Sequence, residues 1–322
     1  MPKALLCEPS LLTRDLSGRR YVVTGANSGI GLIAAQQLAR QGAEVILGCR
    51  RLEAGEAAAA EIRSEGGNAV AKTLDLGSLD SVRNFAAAFL ADHDELHGLV
   101  NNAGVMNTPQ GTTVDGFETQ IGVNHLGHVL LTDLLLPALR KVGASGGDAR
   151  IVGVSSCFHD KAMGREGRID LEDLHFERRP YDGWTSYAQS KLANLLHMKA
   201  LASELAGTGV TAVSVHPGWV RTRLSRHSMP LWMQDWVLRP IFRQMGLIEP
   251  WEGTQTTLHA LLAADVPEQT GAYFSQTGTY RDKSANPGGW PLTSPNPEAH
   301  RDDLAADLMT RSREPVGATT AA

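Results

Sequence analysis

The sequence is poor in cysteine, with three in 322 residues. Cys7, Cys49 and Cys157 are widely spaced, form no Cys-x-x-Cys pair and have no histidine at a metal-ligand spacing. Disulfide-rich secreted domains and cysteine-based metal sites contain closely spaced cysteines in larger numbers. We therefore expect reduced thiols, no metal site and a cytoplasmic location.

Long hydrophobic runs are also missing. The most apolar run, residues 129–139, is interrupted by Asp133 and Pro137 and is far shorter than the ~20 residues that cross a bilayer. The apolar stretch at residues 4–7 is too short for the core of a signal peptide and is followed by Glu8 and Pro9. The sequence thus predicts neither a transmembrane segment nor entry into the secretory route.

Positive charge is not in excess. The chain has 30 Lys and Arg against 35 Asp and Glu, a net charge of -5, whereas nucleic-acid-binding proteins usually carry a basic patch. His159, His197 and His216 have no metal-ligand spacing, and we interpret them as structural or surface residues. With 42% apolar and 20% charged residues, the composition is typical of a soluble globular protein with no nucleic-acid partner.

A glycine-rich turn follows the first predicted strand, residues 20–24. It contains Gly25, Asn27, Ser28, Gly29, Ile30 and Gly31, and apolar residues at helical spacing come after it. Glycines permit a tight turn and let backbone N–H groups approach a pyrophosphate at the positive end of a helix. An ordinary turn is the alternative, but the strand, turn and helix follow in the order that dinucleotide binding requires. We predict that these six residues bind a dinucleotide cofactor.

The second predicted strand, residues 44–47, ends before Gly48-Cys49-Arg50-Arg51. In dinucleotide-binding folds this strand end meets the adenosine ribose, where Asp or Glu binds a free 2′-hydroxyl and Arg accommodates a 2′-phosphate. No carboxylate occurs in this stretch. The sequence therefore favours NADP(H), with Arg50 as phosphate ligand. NAD(H) stays open, because Arg50 and Arg51 could simply begin the helix predicted over residues 53–65.

Predicted strands alternate with predicted helices along most of the chain, which indicates a doubly wound parallel sheet with helices on both faces. Further strands are predicted over residues 69–73, 99–100, 150–154, 210–215 and 271–274, and long helices over residues 114–139 and 187–205. We predict an N-terminal extension (1–17), one α/β domain (18–280) and a C-terminal tail (281–322). Within the tail, residues 304–309 are predicted to form a short helix and residues 316–322 to be disordered.

Several polar residues follow predicted strands, at the sheet edge where open α/β sheets bind ligands. Asn124 instead lies inside a predicted helix, where an asparagine is often only a hydrogen-bonded core residue. Tyr187 and Lys191 are four residues apart and share a helix face. An ammonium beside a phenol favours the phenolate, so Tyr187 is a candidate acid or base. Taken alone, the same spacing is also typical of a surface tyrosine beside a solvated lysine.

Together these features resemble the short-chain dehydrogenase/reductase family over roughly residues 18–275. The motifs that carry the resemblance are Thr24-Gly25-Ala26-Asn27-Ser28-Gly29-Ile30-Gly31, Asp75-Leu76, Asn101-Asn102-Ala103-Gly104, Asn124, Ser155-Ser156, Tyr187-x-x-x-Lys191 and Pro217-Gly218. Each motif is weak alone, but their number and order are specific. The resemblance implies a single Rossmann-type parallel β-sheet of about seven strands, flanked by helices on both faces, and a homodimer or homotetramer.

The resemblance also implies residue roles. Tyr187 would be the general acid or base toward the substrate oxygen, and Ser156 would hydrogen-bond that oxygen. Lys191 would lower the pKa of Tyr187 and hold the nicotinamide ribose, while Asn124 would anchor a water that links Lys191 to solvent. Further cofactor contacts are implied for Asp75 and Leu76 at the adenine, for Asn102, Ala103 and Gly104 at the central part, and for Pro217, Gly218, Val220 and Thr222 at the nicotinamide end.

The segment between Ser156 and Tyr187 is longer than in the commonest short-chain enzymes. This segment, with Asp170-Leu171-Glu172-Asp173-Leu174, and residues 124–128 and 190–194 are similar to the retinol-dehydrogenase-like and WW-domain-oxidoreductase-like branch. Many animal members of that branch carry an N-terminal membrane anchor, and we expect none here. The resemblance therefore does not single out a retinoid as the substrate.

Tryptophans and arginines are interleaved in residues 219–245. Three interpretations stay open: a lid over a lipophilic substrate, covering about residues 219–248, an interfacial helix on a membrane, and a packing or subunit surface. The position of the segment, after the strand beside the nicotinamide, favours the lid. Peripheral membrane contact is kept as an alternative.

The sequence as a whole predicts an NADP(H)-dependent oxidoreductase that interconverts a bulky apolar ketone or aldehyde and its alcohol. An NAD(H)-preferring alcohol dehydrogenase is one alternative. A catalytically idle dinucleotide-binding protein that senses redox state is another, although the complete set of Asn124, Ser156, Tyr187 and Lys191 argues against it.

Overall fold

The fold is built around one parallel sheet, seen in a computed structural model that describes residues 4–220, 246–277 and 288–317. The strands are β1 (Arg20–Thr24), β2 (Glu44–Cys49), β3 (Asn68–Thr73), β4 (Gly98–Asn101), β5 (Ala149–Val154), β6 (Lys161–Ala162), β7 (Arg165–Glu166), β8 (Val210–His216) and β9 (Tyr273–Ser275). Seven of them form the main sheet in the order β3-β2-β1-β4-β5-β8-β9, while β6 and β7 pair separately as an antiparallel ribbon.

Helices cover both faces of this sheet. They are α1 (Gly29–Arg40), α2 (Leu52–Ser64), α3 (Leu79–Asp92), α4 (Thr119–Ile121), α5 (Gly127–Ala144), α6 (Gly183–Glu204), α7 (Pro250–Leu262) and α8 (Asp302–Val316). A π-helical turn, Gly122–Leu126, joins α4 to α5. Short 3-10 turns occur at Pro9–Leu12, Cys157–His159, Val266–Gln269 and Pro297–His300. The predicted fold class is therefore confirmed.

Side chains of the strands point alternately to two hydrophobic cores, as the period of a β-strand requires. On β1, Val23 packs in the same core as Leu38 of α1, while Val22 packs on the other side with Phe89 of α3. Both cores are closed to solvent along the central strands. This burial on two faces explains why the strands appear in the sequence as short apolar runs without alternation.

The chain crosses the sheet in opposite directions on the two sides of β1. It passes from β1 to β2 and β3 on one side, and then returns to β4, β5 and β8 on the other. A crevice opens outside the carboxyl ends of the strands where the direction changes, which is where such sheets bind ligands. The loops after β1 and β4 therefore lie side by side at one place.

The helical region predicted over residues 114–139 begins later and is irregular. Thr113 N–H donates to the Phe117 carbonyl oxygen (2.8 Å), and Gly116 has a φ of 88°, so these residues form a tight turn. Helical structure starts only at Thr119 and passes through the π-helical turn. Gly127 lies so close to the next segment that a Cβ would be 2.4 Å from the Leu76 carbonyl oxygen.

The C-terminal tail contains a longer helix than the one predicted over residues 304–309. Helix α8 spans Asp302–Val316 and buries Leu304, Leu308 and Val316, mainly against α6 and α5. The disorder predicted from Val316 onward is wrong at Val316, which is only 1% exposed; residues 318–322 lie outside the described residues. Apolar side chains are sparse in this charged stretch, but they fall on one face of the helix.

Parts of the predicted substrate region lie outside the described residues. Thr222 and residues 221–245, most of the predicted lid, belong to this group. The described ends of that segment meet, because Ile248 N–H donates to the Trp219 carbonyl oxygen at 2.9 Å. Within the described ranges, no helix is both long and apolar enough to cross a membrane.

Candidate active site

A cleft of about 330 Å³ opens at the carboxyl ends of β1, β4, β5 and β8. It is lined by most of the residues that the sequence assigned to the site: Gly25, Asn27, Ser28, Gly29, Ile30, Gly31, Asn102, Ala103, Gly104, Ser156, Tyr187, Lys191, Pro217, Gly218 and Val220. These residues come from five separate stretches of the chain. The sheet topology thus brings them to one place.

Four of the predicted site residues that the structure describes, Arg50, Asp75, Leu76 and Asn124, do not line this cleft. Arg50 is exposed just after β2, and the side chain of Asp75 accepts a hydrogen bond from Gly77 N–H (2.9 Å). Leu76 is buried in a hydrophobic core. Asn124 lies behind the cleft wall, and Thr222 is outside the described residues. The structure therefore places Arg50, Asp75 and Leu76 near the β2 and β3 strand ends, away from Tyr187.

The glycine-rich turn fits tightly against the loop after β4. A Cβ on Gly31 would be 2.4 Å from Asn102 Nδ2, and a Cβ on Gly25 would be 3.0 Å from Ala103 Cα. Gly25 also has a φ of 66°, which disfavours other residues. Both glycines are therefore required by close approach, and Gly25 is required by its backbone conformation as well.

Helix α1 begins at the cleft with its first N–H groups directed outward from the helix end. Ser28 is the N-cap residue but makes no side-chain cap hydrogen bond, and the first turn of α1 contains no acidic residue. Such an uncapped helix start, next to glycines that leave room for a close approach, suits a pyrophosphate. The donors present therefore fit a dinucleotide, with Gly29 to Gly31 at its phosphates.

Thr24 joins the glycine-rich turn to the loop after β4, a role that the sequence did not reveal. Its Oγ1 accepts hydrogen bonds from the N–H groups of Asn102 and Ala103, both at 2.9 Å. Asn102 Nδ2 in turn donates to the Thr24 carbonyl oxygen at 2.7 Å. The signal in the sequence was the position of Thr24 at the last residue of β1, directly before the glycine-rich turn.

The end of β5 is fastened to α6 by three hydrogen bonds. Ser155 Oγ donates to the Lys191 carbonyl oxygen (2.7 Å), while Lys191 Nζ and Asn194 Nδ2 both donate to the Val154 carbonyl oxygen (3.0 and 3.1 Å). Ser156 is the next residue along the chain. These three hydrogen bonds therefore fix the position of Ser156 relative to Tyr187 on α6. The sequence had predicted no role for Ser155 or Asn194.

Ser156 is also held from the C-terminal part of the chain. His159 is buried, and its Nδ1 lies 2.6 Å from the Ser156 carbonyl oxygen while its Nε2 lies 2.6 Å from Ser294 Oγ. Asn296 Nδ2 donates to the His159 carbonyl oxygen at 2.8 Å. Residues far beyond the predicted domain core thus order the turn that carries Ser156.

Tyr187 lies at the cleft with its side chain almost fully buried. Burial raises its pKa above the usual value near 10, and a hydrogen bond with Ser156 offsets only part of this effect. Lys191 Nζ lies 5.7 Å from the centre of the Tyr187 ring. The net direction is upward, because desolvation of the phenol outweighs the hydrogen bond from Ser156. The lowering of this pKa by Lys191, which the resemblance implied, stays a prediction.

Lys191 is itself buried, and burial lowers its pKa to about 8. The ammonium form still predominates at neutral pH. Gly104 separates this ammonium from Asn124: a Cβ on Gly104 would be 3.6 Å from Lys191 Nζ and 3.0 Å from Asn124 Oδ1. The loop after β4 thus passes between the two residues and needs glycine there.

The Asn124 side chain bridges two elements. Its Oδ1 accepts from Val105 N–H (2.8 Å), and its Nδ2 donates to the Val105 carbonyl oxygen and to Ser190 Oγ, both at 2.9 Å. Its amide is therefore used to fix the loop after β4 against α6. The interpretation of Asn124 as a hydrogen-bonded core residue describes its side chain well, although it lies next to Lys191.

Aromatic rings surround the phenol of Tyr187. The Phe158 ring is 6.1 Å and the Trp184 ring 6.4 Å from the Tyr187 ring, each nearly perpendicular to it. Trp219 and Met106 add to the lining of the cleft. The surroundings of the Tyr187 ring are therefore largely apolar.

His216 lines the cleft and was predicted only as a structural or surface residue. It is 3% exposed, burial lowers its pKa to about 3, and its Nδ1 has no hydrogen-bond partner among the described residues. Its position directly before Pro217, at a strand end, was the available signal. In the described parts of the chain, no group of three His, Cys, Asp or Glu residues could hold a metal ion.

The sequence is similar to those of retinol dehydrogenases. It is 47% identical to human retinol dehydrogenase 12 over 263 residues, and this alignment covers 81% of this chain and 78% of that protein. It is 40% identical over 306 residues to human retinol dehydrogenase 13, covering 94% of this chain and 86% of that protein. The second similarity extends over nearly the whole chain.

Solved structures share the fold. A protein from Mycobacterium paratuberculosis superimposes with a TM-score of 0.73 at 35% identity, covering 95% of this chain and 96% of that chain. The Pseudomonas aeruginosa RhlG/NADP active-site complex superimposes with a TM-score of 0.65 at 25% identity, covering 84% of this chain and 97% of that chain.

The family model for short chain dehydrogenases matches residues 19–166 and 176–230. These two ranges contain the glycine-rich turn, Ser156, Tyr187 and Lys191, all of which line the cleft. The chain belongs to the short-chain dehydrogenase family, in its retinol-dehydrogenase-like branch, and is an NAD(P)-dependent oxidoreductase that acts on a small molecule.

Proposed function

We propose that this enzyme uses NADP(H) to interconvert a bulky apolar ketone or aldehyde and its alcohol, with Tyr187 as the general acid or base. The observation that carries the proposal is that Tyr187, Ser156 and Lys191 line one cleft together with the glycine-rich turn. A bound dinucleotide would supply or accept the hydride. The protein's own part is to hold the substrate oxygen and move one proton.

The protonation state of Tyr187 suits reduction. Because burial raises its pKa, the phenol keeps its proton at neutral pH. It can then donate this proton to a carbonyl oxygen, while the Ser156 hydroxyl hydrogen-bonds the same oxygen and stabilises its developing charge. The Lys191 ammonium lies 5.7 Å from the centre of the Tyr187 ring and would stabilise the phenolate that remains after proton transfer.

Arg50 supports a preference for NADP(H). It follows β2, whose end lies beside the glycine-rich turn because Gly25 N–H donates to the Gly48 carbonyl oxygen at 2.8 Å. Arg50 is exposed, so its guanidinium is accessible to a 2′-phosphate. No carboxylate in residues 48–51 would compete for a ribose hydroxyl.

An apolar substrate is supported by the lining of the cleft near Tyr187. Phe158, Trp219 and Met106 line the cleft and offer aromatic and thioether surface rather than charge. Trp184 packs against the rings of Phe158 and Tyr187. The relatives named retinol dehydrogenase act, by name, on retinol. We therefore include retinol and retinal in the substrate panel, beside other bulky aldehydes and ketones.

Three expectations stay predictions: that the protein is a homodimer or homotetramer, that it is located in the cytoplasm, and that residues 219–248 form a lid over the substrate. The lid is consistent with the ends of that segment, since Trp219 lines the cleft and Ile248 hydrogen-bonds to it. Peripheral membrane contact by the same segment is the competing prediction.

The first experiment measures carbonyl reduction with Tyr187→Phe. Removal of a positioned general acid should lower kcat by ~10²- to 10⁴-fold while the Kd for NADPH stays within ~3-fold. Tyr181→Phe is the matched control, because Tyr181 Oη donates to the Thr108 carbonyl oxygen (2.9 Å) outside the cleft. Full turnover by Tyr187→Phe would rule out the mechanism, and NADPH binding without turnover by the wild type on the whole panel would favour a redox sensor.

The second experiment compares NADPH with NADH in the wild type and in Arg50→Asp. Loss of a charge-assisted contact of ~1.5–3 kcal/mol should raise the KM for NADPH by more than ~10-fold and leave that for NADH nearly unchanged. An enzyme that prefers NAD(H) would instead use NADPH equally well before and after the substitution.

A further inference from the structure

His128 lies buried at the start of α5, between two loops of the site. Its Nε2 is 2.9 Å from Thr24 Oγ1, and its Nδ1 is 3.0 Å from the Asn124 carbonyl oxygen. The ring is only 2% exposed. Neither the resemblance nor the cleft lining gives this histidine a role.

The protons of this network can be assigned from the chemistry of its partners. The Asn124 carbonyl oxygen can only accept, so Nδ1 of His128 carries the hydrogen. Burial lowers the pKa of His128 to about 4, so the ring is neutral at pH 7 and Nε2 is an acceptor. The Thr24 hydroxyl therefore donates its hydrogen to His128 Nε2, at 2.9 Å. The other possible acceptor, the Val100 carbonyl oxygen, is farther from Thr24 Oγ1, at 3.3 Å.

This assignment leaves the Thr24 oxygen free to accept from the cofactor loop. Its lone pairs receive the N–H groups of Asn102 and Ala103, each at 2.9 Å. At the other end of the same loop, Asn124 holds Val105 through two hydrogen bonds of 2.8 and 2.9 Å. Each donor in the circuit thus meets an acceptor.

The hydrogen bonds form a closed circuit around residues 102–105. Thr24 holds the start of this loop, Asn124 holds its end, and His128 joins Thr24 to Asn124. Between the two ends lies Gly104, next to Lys191 Nζ. A displacement at one end of the loop therefore has to be accommodated by the other end.

We propose that His128 is a positioning residue that couples the cofactor-binding loop, residues 102–105, to the π-helical turn that carries Asn124. The coupling keeps the loop at the distance from Lys191 at which cofactor and Tyr187 can be used together. The inference rests on the proposed assignment of residues 102–104 to cofactor binding and of Asn124 to the catalytic set.

Two substitutions separate the two hydrogen bonds of the His128 imidazole, from Nδ1 to Asn124 and from Thr24 to Nε2. In His128→Asn the side-chain amide nitrogen takes the place of Nδ1 and can donate to the Asn124 carbonyl oxygen, but nothing replaces Nε2. In His128→Gln the amide oxygen reaches the position of Nε2 and can accept from Thr24, but the donor to Asn124 is lost. Both variants keep a polar side chain of similar size in the buried site.

The readouts are the Kd of the cofactor that the wild type binds more tightly, NADPH or NADH, and hydrogen exchange of peptides covering residues 102–106 and 119–127. We expect His128→Asn to raise the Kd by ~3- to 10-fold, the effect of one neutral hydrogen bond, without faster exchange at residues 119–127. His128→Gln should leave the Kd within ~2-fold and speed exchange at residues 119–127 by ~3-fold or more. Neither readout needs a substrate, so failure to find turnover would not affect the test.

Coupling is tested by the double variant Thr24→Val/His128→Asn. Because both substitutions remove the same hydrogen bond, its Kd should equal that of Thr24→Val alone. The matched control is His197→Gln, since His197 is 2% exposed on α6 and its Nε2 has no partner among the described residues. This control should lower thermal stability and leave cofactor affinity unchanged.

Two results would overturn the proposal. One is a parallel change of Kd and hydrogen exchange in His128→Asn and His128→Gln, which would indicate a general loss of packing. The other is wild-type behaviour in both variants, or additive effects in the double variant.

Discussion

Arg313 joins the C-terminal helix α8 to two helices of the domain, and Arg313→Ala should destabilise the whole fold. Its guanidinium donates to both carboxylate oxygens of Asp133 on α5 (2.8 and 2.9 Å) and to both of Glu204 on α6 (2.8 Å each). The side chains of Arg313 and Asp133 are 9% and 8% exposed, whereas that of Glu204 is 37% exposed. The Asp133 pair is therefore the buried one.

The magnitude follows from what remains after the substitution. Removing one partner of a buried ion pair leaves an uncompensated charge and costs ~3–5 kcal/mol of unfolding free energy. Glu204 can be solvated and should add less than ~1 kcal/mol. Burial already raises the pKa of Asp133, and loss of Arg313 raises it further. The cost is therefore greatest at neutral pH and falls as the pH drops through the raised pKa, because protonation removes the buried charge.

The assay is urea unfolding at pH 7, followed by circular dichroism. With an m-value of ~3 kcal/mol/M, a loss of ~3 kcal/mol lowers the midpoint by ~1 M. Arg311→Ala is the matched control on the same helix, because its contact with Glu172 (3.1 Å) is solvent-exposed, with side chains 53% and 70% exposed. It should cost less than ~1 kcal/mol.

A second variant separates the ion pair from general packing. Arg313→Met combined with Asp133→Leu removes both buried charges and should recover most of the lost stability. Equal midpoints for Arg313→Ala and Arg311→Ala would refute the reasoning. They would mean that α8 contributes little to the stability of the domain.

Two further predictions concern the site. Gly31→Ala should weaken NADPH binding by at least ~10-fold, because its Cβ would displace Asn102 Nδ2 from the Thr24 carbonyl oxygen; Gly111→Ala, whose Cβ would have its nearest contact at 3.4 Å, is the control, and equal affinities would contradict the prediction. The pH profile of kcat/KM should fall as the pH rises through about 8, where the buried ammonium of Lys191 loses its proton. Lys191→Arg should move that decline to higher pH, and an unchanged profile would assign it to another group.

The conformation of the glycine-rich turn could be predicted because local chemistry determines it. Gly25 and Gly31 precede or begin a helix directly after a buried strand, and only a residue without a side chain fits there. The order of strands and helices likewise followed from apolar periods, which reflect burial on one or two faces. Tyr187 and Lys191 share a helix face for the same local reason.

The C-terminal helix shows where local patterns are insufficient. Its stretch is charged and contains few apolar residues, so only a short helix was predicted. In the structure, Arg313 finds its partners 109 and 180 positions away, and Ser312 Oγ lies 2.8 Å from His125 Nε2. Polar residues can be buried when distant segments supply their partners, and no local period reports this.

The sequence by itself determined the class of the protein: one parallel sheet, a glycine-rich turn between a strand and a helix, and a Tyr and Lys pair on one helix face. Only the tertiary structure decided how these parts are held together. The bonds from His128 to Thr24 and from His159 to Ser294 join segments that are 104 and 135 positions apart in the chain. It also decided the direction of the pKa of Tyr187, because burial depends on everything that surrounds the phenol, whereas spacing reports only its nearest neighbours.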